Sequence, residues 1–280
     1  MSAPTSLDLP VGVQVVTLRT PRGDFAAHVA APQDTLRGDV LLIPGFTGSK
    51  EDFTPILPLL ASAGWQVTAY DQRGQYQTVG SPVDDYSLDG FAADAIAVRE
   101  VAAGPGTRSH LLGHSFGGLV AQAALLAAPQ SWSSLTLMCT GPAGFDAPPQ
   151  TKPLAAFIDA LDSIGAEKVF EIQQGKKAPV APEILTFLRD RFTANSPQSL
   201  KAIAAHLTDA DDRIDEIDAL DLPKFVVRGR DDDEWSPQVQ ARMAERLGLD
   251  AIVIGDSAHS PAVENPTATA QILAGLFAAT

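Results

Sequence analysis

The segment from Gly113 to Gly118 combines a nucleophile with a local geometry that could expose it. Its sequence is Gly-His-Ser-Phe-Gly-Gly, and it lies between a short apolar run and a helical pattern. A tight strand-to-helix turn forces strained dihedral angles on Ser115, and the flanking glycines leave room for neighbouring backbone. The hydroxyl then projects at a helix N-terminus, which favours negative charge. A capping serine in a glycine-rich turn is the alternative, but the context predicts Ser115 as a nucleophile.

A serine that attacks a carbonyl group also needs donors for the oxyanion that forms. The N–H that follows the nucleophile, on Phe116, is one predicted donor. The loop Ile43–Gly48 follows an earlier predicted strand, and Gly45 would let its backbone approach the substrate. We expect the N–H of Phe46 to be the second donor, although an ordinary Pro-Gly turn is the alternative for this loop.

A serine nucleophile needs a base, and the chain has five histidines. His259 lies in a loop after the last predicted strand and is predicted to be the base, because the order Ser, Asp, His along the chain fits this kind of site. The other four are placed on the surface of an N-terminal hairpin (His28), at the start of the nucleophile strand (His110), inside the turn as a candidate substrate contact (His114) and in a helical segment (His206).

The acid that orients the base should follow the next-to-last predicted strand, Phe225–Gly229. Four consecutive acids occur there, from Asp231 to Glu234. Asp232 is the predicted partner of His259, with Asp233 as the second choice and Asp231 also open. The selected carboxylate would hold the imidazole tautomer and stabilise the imidazolium. The remaining acids of the run are predicted to lie on a solvated loop.

Short apolar runs alternate with longer helical patterns along most of the chain, which predicts an α/β fold with a mostly parallel sheet and helices on both faces. Residues 145–210 interrupt this rhythm with helical patterns alone. We therefore expect a core formed by residues 1–144 and 211–280, with 145–210 as a helical lid over the carboxyl edge of the sheet, where ligands bind in such folds. The predicted helices of this lid are Leu154–Leu161, Ala166–Gln174, Pro182–Phe192 and Pro197–Leu207.

Large apolar side chains are frequent in the predicted lid and suggest a small-molecule substrate with an apolar portion. Phe157 and Phe187 are candidates for contact with it, together with Trp235 beside the acidic run. Arg189 and Arg191 could bind an anionic substrate, but the surface of a lid helix is the preferred prediction for both.

The composition argues against several other classes of protein. The 280 residues carry a net charge of −14, which disfavours binding to nucleic acid or to an anionic membrane surface. The single cysteine, Cys139, excludes an intramolecular disulfide and is predicted to be a buried apolar residue. No segment resembles a signal peptide or a membrane span, so a soluble, cytoplasmic protein without metal or cofactor is expected, of unknown oligomeric state.

Five segments together resemble the α/β-hydrolase superfamily, over nearly the whole chain: Pro44-Gly45-Phe46, Asp71-Gln72-Arg73-Gly74, the Ser115 turn, Gly229 to Asp232, and His259. The pattern is most similar to small bacterial esterases, lactonases and cofactor-free perhydrolases with a helical lid. The resemblance implies hydrolysis of a small carboxylic ester or lactone through an acyl-serine intermediate. Two departures are Pro44, where the family usually has histidine, and Tyr76, because the family often has Gly-x-Gly where this chain has Gly74-Gln75-Tyr76.

Two other functions fit the same residues. Carbon–carbon bond hydrolases and lyases of this fold share the serine triad, and Gly45–Ser49 is similar to the early loop of one such lyase. A non-catalytic receptor that keeps the fold and the triad is the alternative from another class. Enzymes of this fold with an aspartate nucleophile are disfavoured by Ser115.

Overall fold

The computed structural model describes residues 2–145, 147–175 and 179–280. Eight strands form one sheet in the order β1-β2-β4-β3-β5-β6-β7-β8. The strands are β1 Val13–Thr20, β2 Gly23–Ala30, β3 Gly38–Ile43, β4 Trp65–Tyr70, β5 Ser109–His114, β6 Trp132–Met138, β7 Lys224–Gly229 and β8 Ile252–Ile254. β1 and β2 form an antiparallel hairpin, β2 pairs antiparallel with β4, and the remaining neighbours are parallel. The prediction of an α/β fold with a mostly parallel sheet is confirmed.

Helices cover both faces of the sheet, because its central strands are apolar on both sides. Helices α1 Leu57–Ser62, α9 Pro261–Glu264 and α10 Pro266–Ala278 contribute to the core on one face. Helices α2 Leu88–Ala103, α3 Phe116–Ala127, α7 Ile214–Asp218 and α8 Pro237–Arg246 contribute to the core on the other. The parallel strands therefore lie between two dry layers, and their carboxyl ends meet at one edge.

The pattern from Phe53 to Ala63 predicts one helix, and the structure corrects this prediction. A short 3-10 helix covers Lys50–Asp52, and α1 begins only at Leu57. Pro58 lies at the start of α1, where its missing N–H is tolerated, whereas a longer helix would place it in the interior. The chain thus enters α1 through a turn that follows the loop after β3.

Among the described residues, three helices follow β6 with no strand between them: α4 Pro148–Gln174, α5 Pro182–Thr193 and α6 Pro197–Asp209. They share a third apolar cluster, which includes Phe157, Phe170, Phe192 and Leu200. The sequence pattern predicts two helices where the structure has α4. The two segments meet at Gly165, whose φ of 76° and ψ of 165° kink the helix without a connecting loop.

Within the described ranges, no helix combines the length and the apolar character that crossing a bilayer requires.

Candidate active site

Ser115 lies at the sharp turn between β5 and α3, at the carboxyl edge of the sheet. Its φ of 56° and ψ of −123° are strained for a residue with a side chain. Close packing enforces the turn. A side-chain carbon added at Gly113 would lie 2.1 Å from the carbonyl oxygen of Gly117, and one at Gly117 would lie 2.3 Å from that of Ile43. Both positions therefore require glycine, as the spacing predicts.

The loop after β3 runs directly beside Ser115. A side-chain carbon added at Gly45 would lie 2.9 Å from Cβ and 3.3 Å from Oγ of Ser115. Within the described residues, the N–H groups of Phe46 and Phe116 donate no hydrogen bond to the protein. Two free donors beside a serine hydroxyl suit an anion that forms on the substrate.

His259 and Asp232 meet at the same edge, from the loops after β8 and β7. The Nδ1–H of His259 donates to Oδ1 of Asp232 over 2.9 Å, which leaves Nε2 without a proton in the neutral ring. Burial opposes ionisation of Asp232, but the bond from His259 and the N–H groups of Gln240 and Glu234 outweigh it and lower the pKa of the carboxyl. The arrangement provides an oriented base whose free nitrogen can accept a proton.

The four consecutive acids differ sharply in burial. Asp232 is 5% exposed, whereas Asp231, Asp233 and Glu234 are exposed. The Asp232 carboxylate also accepts the main-chain N–H groups of Glu234 and Trp235, so it closes a turn as well as binding His259. Among these acids, the structure brings Asp232 to the histidine.

His114 is fully enclosed beside His259. Its Nε2–H donates to the main-chain carbonyl of His259 over 2.6 Å, and the two rings lie 5.0 Å apart. Burial lowers the pKa of His114 to about 3, so the ring is neutral over the working pH range. Adjacency in sequence suggests a residue that points away from the site, but the structure makes it a support for the base loop.

Ser115 and His259 line one cavity of about 640 Å³, together with Gly45, Phe46, His114 and Trp235. Within the described residues, no hydrogen bond joins the Ser115 hydroxyl to the His259 ring. Such bonds are often long in the absence of substrate and tighten when it binds. The structure therefore brings Ser115 and His259 to one cavity.

The cavity wall is largely apolar and includes Phe145, Leu154 and Leu207. Two predicted contacts lie elsewhere. Phe157 packs behind Phe46, with the ring centroids 5.3 Å apart, and Phe187 packs on Tyr76 at 5.8 Å beside a separate cavity. Their size and apolar character also suit the core between helices, and both side chains pack there in the structure.

His114, Cys139 and His259 bring potential metal-ligating atoms within 4.8 Å of one another. One nitrogen of each histidine ring already donates a hydrogen bond, from His114 Nε2 to the His259 carbonyl and from His259 Nδ1 to Asp232. Burial raises the pKa of the Cys139 thiol, which disfavours the thiolate that a metal would need. As expected, Cys139 is buried, and this trio is better described as packing behind the base than as a cation site.

Lys50, just after the loop that follows β3, contacts three polar residues. We call Lys50, Glu51, Asp71 and Gln77 the Lys50 cluster. Lys50 Nζ lies 3.0 Å from Asp71, 2.9 Å from Glu51 and 2.8 Å from Gln77. Burial opposes its charge, but Asp71 and Glu51 raise the pKa of the ammonium group overall. His28 packs beside Glu51 and is 5% exposed, so its prediction as sheet surface is wrong. It is covered because the segment with Glu51 and Thr54 packs on this face of β2.

Arg191 was predicted on a helix surface, and the structure corrects this as well, because its side chain is fully buried. Nη1 contacts Asp52 at 2.7 Å, and Nη2 donates to the Ser2 carbonyl at 2.6 Å. The Ser2 hydroxyl lies 2.9 Å from that of Ser260, next to the base. Arg189, by contrast, is exposed and pairs with Glu167. No sequence motif marks Arg191, since a single arginine in an amphipathic helix normally faces solvent.

The fold and this constellation define the class of protein. Residues 40–272 match the alpha/beta hydrolase family, and the chain belongs to that family. A carbamate hydrolase from Variovorax paradoxus is 37% identical over 99 residues, which covers 35% of this chain and 36% of that relative. A pimeloyl-[acyl-carrier protein] methyl ester esterase from Neisseria meningitidis is 29% identical over 247 residues, which covers 83% of this chain and 74% of the relative.

The solved structure of an esterase from Thermogutta terrifontis superimposes with a TM-score of 0.77 over 95% of this chain and 98% of that one, at 21% identity. The likeness confirms the α/β-hydrolase fold.

Proposed function

We propose that the protein is a serine hydrolase that cleaves a small carboxylic ester or lactone. The single observation that carries the proposal is the hydrogen bond to Asp232 that orients His259 beside the cavity it shares with the strained Ser115. Three residues from distant parts of the chain converge at one sheet edge, with two free N–H donors beside them. Membership of the hydrolase family and the similarity to a methyl ester esterase support the same reaction.

In the proposed reaction, Ser115 Oγ attacks the substrate carbonyl carbon while His259 Nε2 takes the hydroxyl proton. The carbonyl oxygen becomes an oxyanion, which the N–H groups of Phe46 and Phe116 stabilise. The bond to the leaving oxygen then breaks, and the alcohol departs with the proton from His259. Asp232 holds the ring and stabilises the imidazolium at each step.

Water completes the cycle. It attacks the acyl-Ser115 ester, gives a proton to His259 and forms a second tetrahedral intermediate. Collapse of this intermediate returns the proton to Ser115 Oγ and releases the carboxylic acid. With a lactone, the acid and the alcohol leave as one molecule. The sequence of steps needs only water as a co-reactant.

We further propose that the segment 145–210 acts as a lid. Helix α4 supplies Pro149, Pro153 and Leu154 to the cavity wall, and α6 supplies Leu207. A wall of this kind excludes water and suits an apolar portion of a small-molecule substrate.

Replacement of Ser115 by alanine tests the mechanism. Hydrolysis of p-nitrophenyl acetate and labelling by a fluorophosphonate should both be lost, with turnover reduced about 10⁴-fold or more, by analogy with triad variants. Ser163→Ala is the matched control, because Ser163 is exposed on α4 and lies outside the cavity. Full ester hydrolysis by the Ser115→Ala variant would exclude the acyl-serine mechanism.

The pH profile and a substrate panel separate the remaining functions. The rate should rise between pH 5 and 8, where a histidine base ordinarily loses its proton. A panel with vinylogous diketones tests carbon–carbon bond cleavage, and faster turnover of these than of any ester would replace the proposal. Labelling without turnover of any ester, lactone or diketone would favour a receptor.

A further inference from the structure

Two stacked aromatic rings stand between the catalytic cavity and a second cavity. The rings of Phe145 and Trp235 lie 4.0 Å apart at an interplanar angle of 28°. Both residues line the catalytic cavity, of about 640 Å³, and also a neighbouring one of about 410 Å³. Gln150 and Glu234 border both cavities too. The two spaces are therefore adjacent and share one wall.

The Trp235 ring is fixed in this wall from several sides. It is 2% exposed, and a side-chain carbon added at Gly141 would lie 2.1 Å from its Cζ3 atom, so the ring lies against the Gly141 backbone. The Trp235 N–H donates to Asp232 over 3.3 Å, and its carbonyl accepts from Gln240 over 2.7 Å. A ring held by packing and by both of its main-chain groups is a rigid barrier.

Phe145 covers the other face of the Trp235 ring. Its N–H donates to the Leu207 carbonyl of α6 over 2.7 Å, which ties it to the helical segment. Unlike Trp235, Phe145 is only partly buried. A smaller side chain at position 145 would remove half of the wall while it leaves Asp232 and the acid loop in place.

We propose that the Phe145–Trp235 pair determines how long a substrate the enzyme accepts. The pair forms the end wall for the apolar limb of the ester or lactone and restricts the enzyme to compact substrates, while the second cavity stays out of reach. This inference rests on the proposed ester hydrolysis and adds a class of substrate to it. A rigid end wall discriminates by steric exclusion, because a limb that is too long cannot reach the nucleophile in a reactive pose.

Two series of ester substrates with limbs of increasing length test the wall. The wild type should hydrolyse p-nitrophenyl acetate and butanoate well and octanoate poorly, as measured by kcat/KM. Phe145→Ala should raise the octanoate-to-acetate ratio of kcat/KM at least about tenfold, a change of about 1.4 kcal/mol in discrimination. A parallel series of alkyl acetates covers the case in which the alcohol limb faces the wall. Trp235→Leu is the second variant and should shift the same ratio.

Val239 provides the matched control, because it lines the second cavity and not the catalytic one. Val239→Phe alone should leave both series unchanged. Added to Phe145→Ala, it should fill the opened space and restore the wild-type ratio. Unchanged ratios in both limb series for folded Phe145→Ala and Trp235→Leu, with acetate hydrolysis retained, would overturn the proposal.

A binding measurement separates this inference from the proposed function. Isothermal titration calorimetry measures the affinity for butanoate and octanoate. It tests the wall without turnover, so it remains informative if no ester is hydrolysed. Octanoate should bind Phe145→Ala more tightly than it binds the wild type, while butanoate binds both alike. Equal binding of octanoate to both would sink the inference, whereas loss of all ester turnover in the wild type would sink only the hydrolase proposal.

Discussion

The Asp232–His259 pair and the Lys50 cluster are both buried charge systems at the same edge of the sheet, yet they differ in what they face. The Asp232 side chain is fully enclosed, but the His259 side chain is 19% exposed and borders the cavity. Lys50 and Asp71 are both fully enclosed. Glu51 of the Lys50 cluster is 17% exposed, but it borders a separate cavity. A pair that borders the cavity of Ser115 can exchange a proton with a substrate there, whereas a cluster closed off from that cavity can only hold its neighbours in place.

The difference teaches how to separate chemistry from architecture at a crowded site. The Lys50 cluster joins the loop after β3 to the end of β4, and Asp52 next to it binds Arg191 of α5. Burial raises the pKa of Asp71 to about 6, although Lys50 opposes this shift. This value is still below neutral pH, so the carboxylate is ionised there. We expect a change in the open pair to reduce activity and a change in the closed cluster to reduce stability.

Asp232→Asn should have the largest effect. The amide cannot stabilise the imidazolium, so kcat/KM for p-nitrophenyl acetate should fall about 10⁴-fold. The free energy of unfolding, from urea titration, should change much less. Asp231→Asn is the matched control in the same run of acids and should keep wild-type kinetics. Equal losses of kcat/KM in Asp232→Asn and Asp231→Asn would show that Asp232 has no special role among these acids.

Lys50→Met should show the opposite pattern. It leaves the Asp71 and Glu51 carboxylates buried without their cation, which lowers the free energy of unfolding by about 3–5 kcal/mol. Folded protein, assayed well below its Tm, should retain ester hydrolysis. Lys168→Met removes an exposed lysine from α4 and should leave stability unchanged. A stable but inactive Lys50→Met variant would refute the division between the two systems.

Arg191→Lys should have a smaller effect. One ammonium group cannot reach both Asp52 and the Ser2 carbonyl as the two guanidinium nitrogens do, so one buried bond is lost. The free energy of unfolding should fall by about 1–3 kcal/mol. Arg189→Lys, at an exposed ion pair on the same helix, is the control and should unfold like the wild type. Equal free energies of unfolding for Arg191→Lys and Arg189→Lys would show that stability does not require both bonds of the Arg191 guanidinium group.

His28→Gln should have the smallest effect at neutral pH, because the contribution of this residue appears as a pH dependence below pH 6.5. Burial lowers the pKa of His28 from an ordinary value near 6.5 to about 4. Glu51 opposes this shift, and Lys50 adds to it. Between those values the unfolded chain binds a proton that the folded one does not, so stability falls as the pH drops from 6.5 to 4. The variant should lose at most about 1.4 kcal/mol per pH unit of this slope.

Urea titrations at several pH values measure the slope, and Thr54, which binds His28 Nδ1, offers the control. Thr54→Ser keeps the hydroxyl and should preserve the wild-type pH dependence. A slope that is identical in His28→Gln and the wild type would mean that His28 titrates alike in the folded and unfolded chain.

The sequence predicts the elements around the candidate site well, because strand ends and a glycine-rich turn are local signals. The local patterns predict a strand at Trp65–Tyr70 and a helix at Pro266–Ala278, and the structure has both elements with these bounds. The sequence does not distinguish the four acids, since all have the same charge and only the turn closed by Asp232 sets one of them apart. Local patterns do not contain that information.

The buried ions were not predictable in the same way. Arg191 and His28 are polar residues in an amphipathic helix and in a strand next to the edge strand, where solvent exposure is the usual outcome. Their partners, Asp52 and Glu51, lie 139 and 23 positions away along the chain, and only the folded structure joins them. The same limit applies to Phe187, whose apolar character fits a substrate contact and a helix core equally well.

The turn closed by Asp232 has a consequence for how the enzyme can diverge. One carboxylate binds both His259 and the main chain of Trp235, so a backbone shift that remodels one boundary of the cavity also disturbs the Asp232–His259 bond. Phe145 is attached to another helix and has no such tie. Laboratory selection for bulkier esters should therefore enrich changes at position 145 before changes in the loop 231–235.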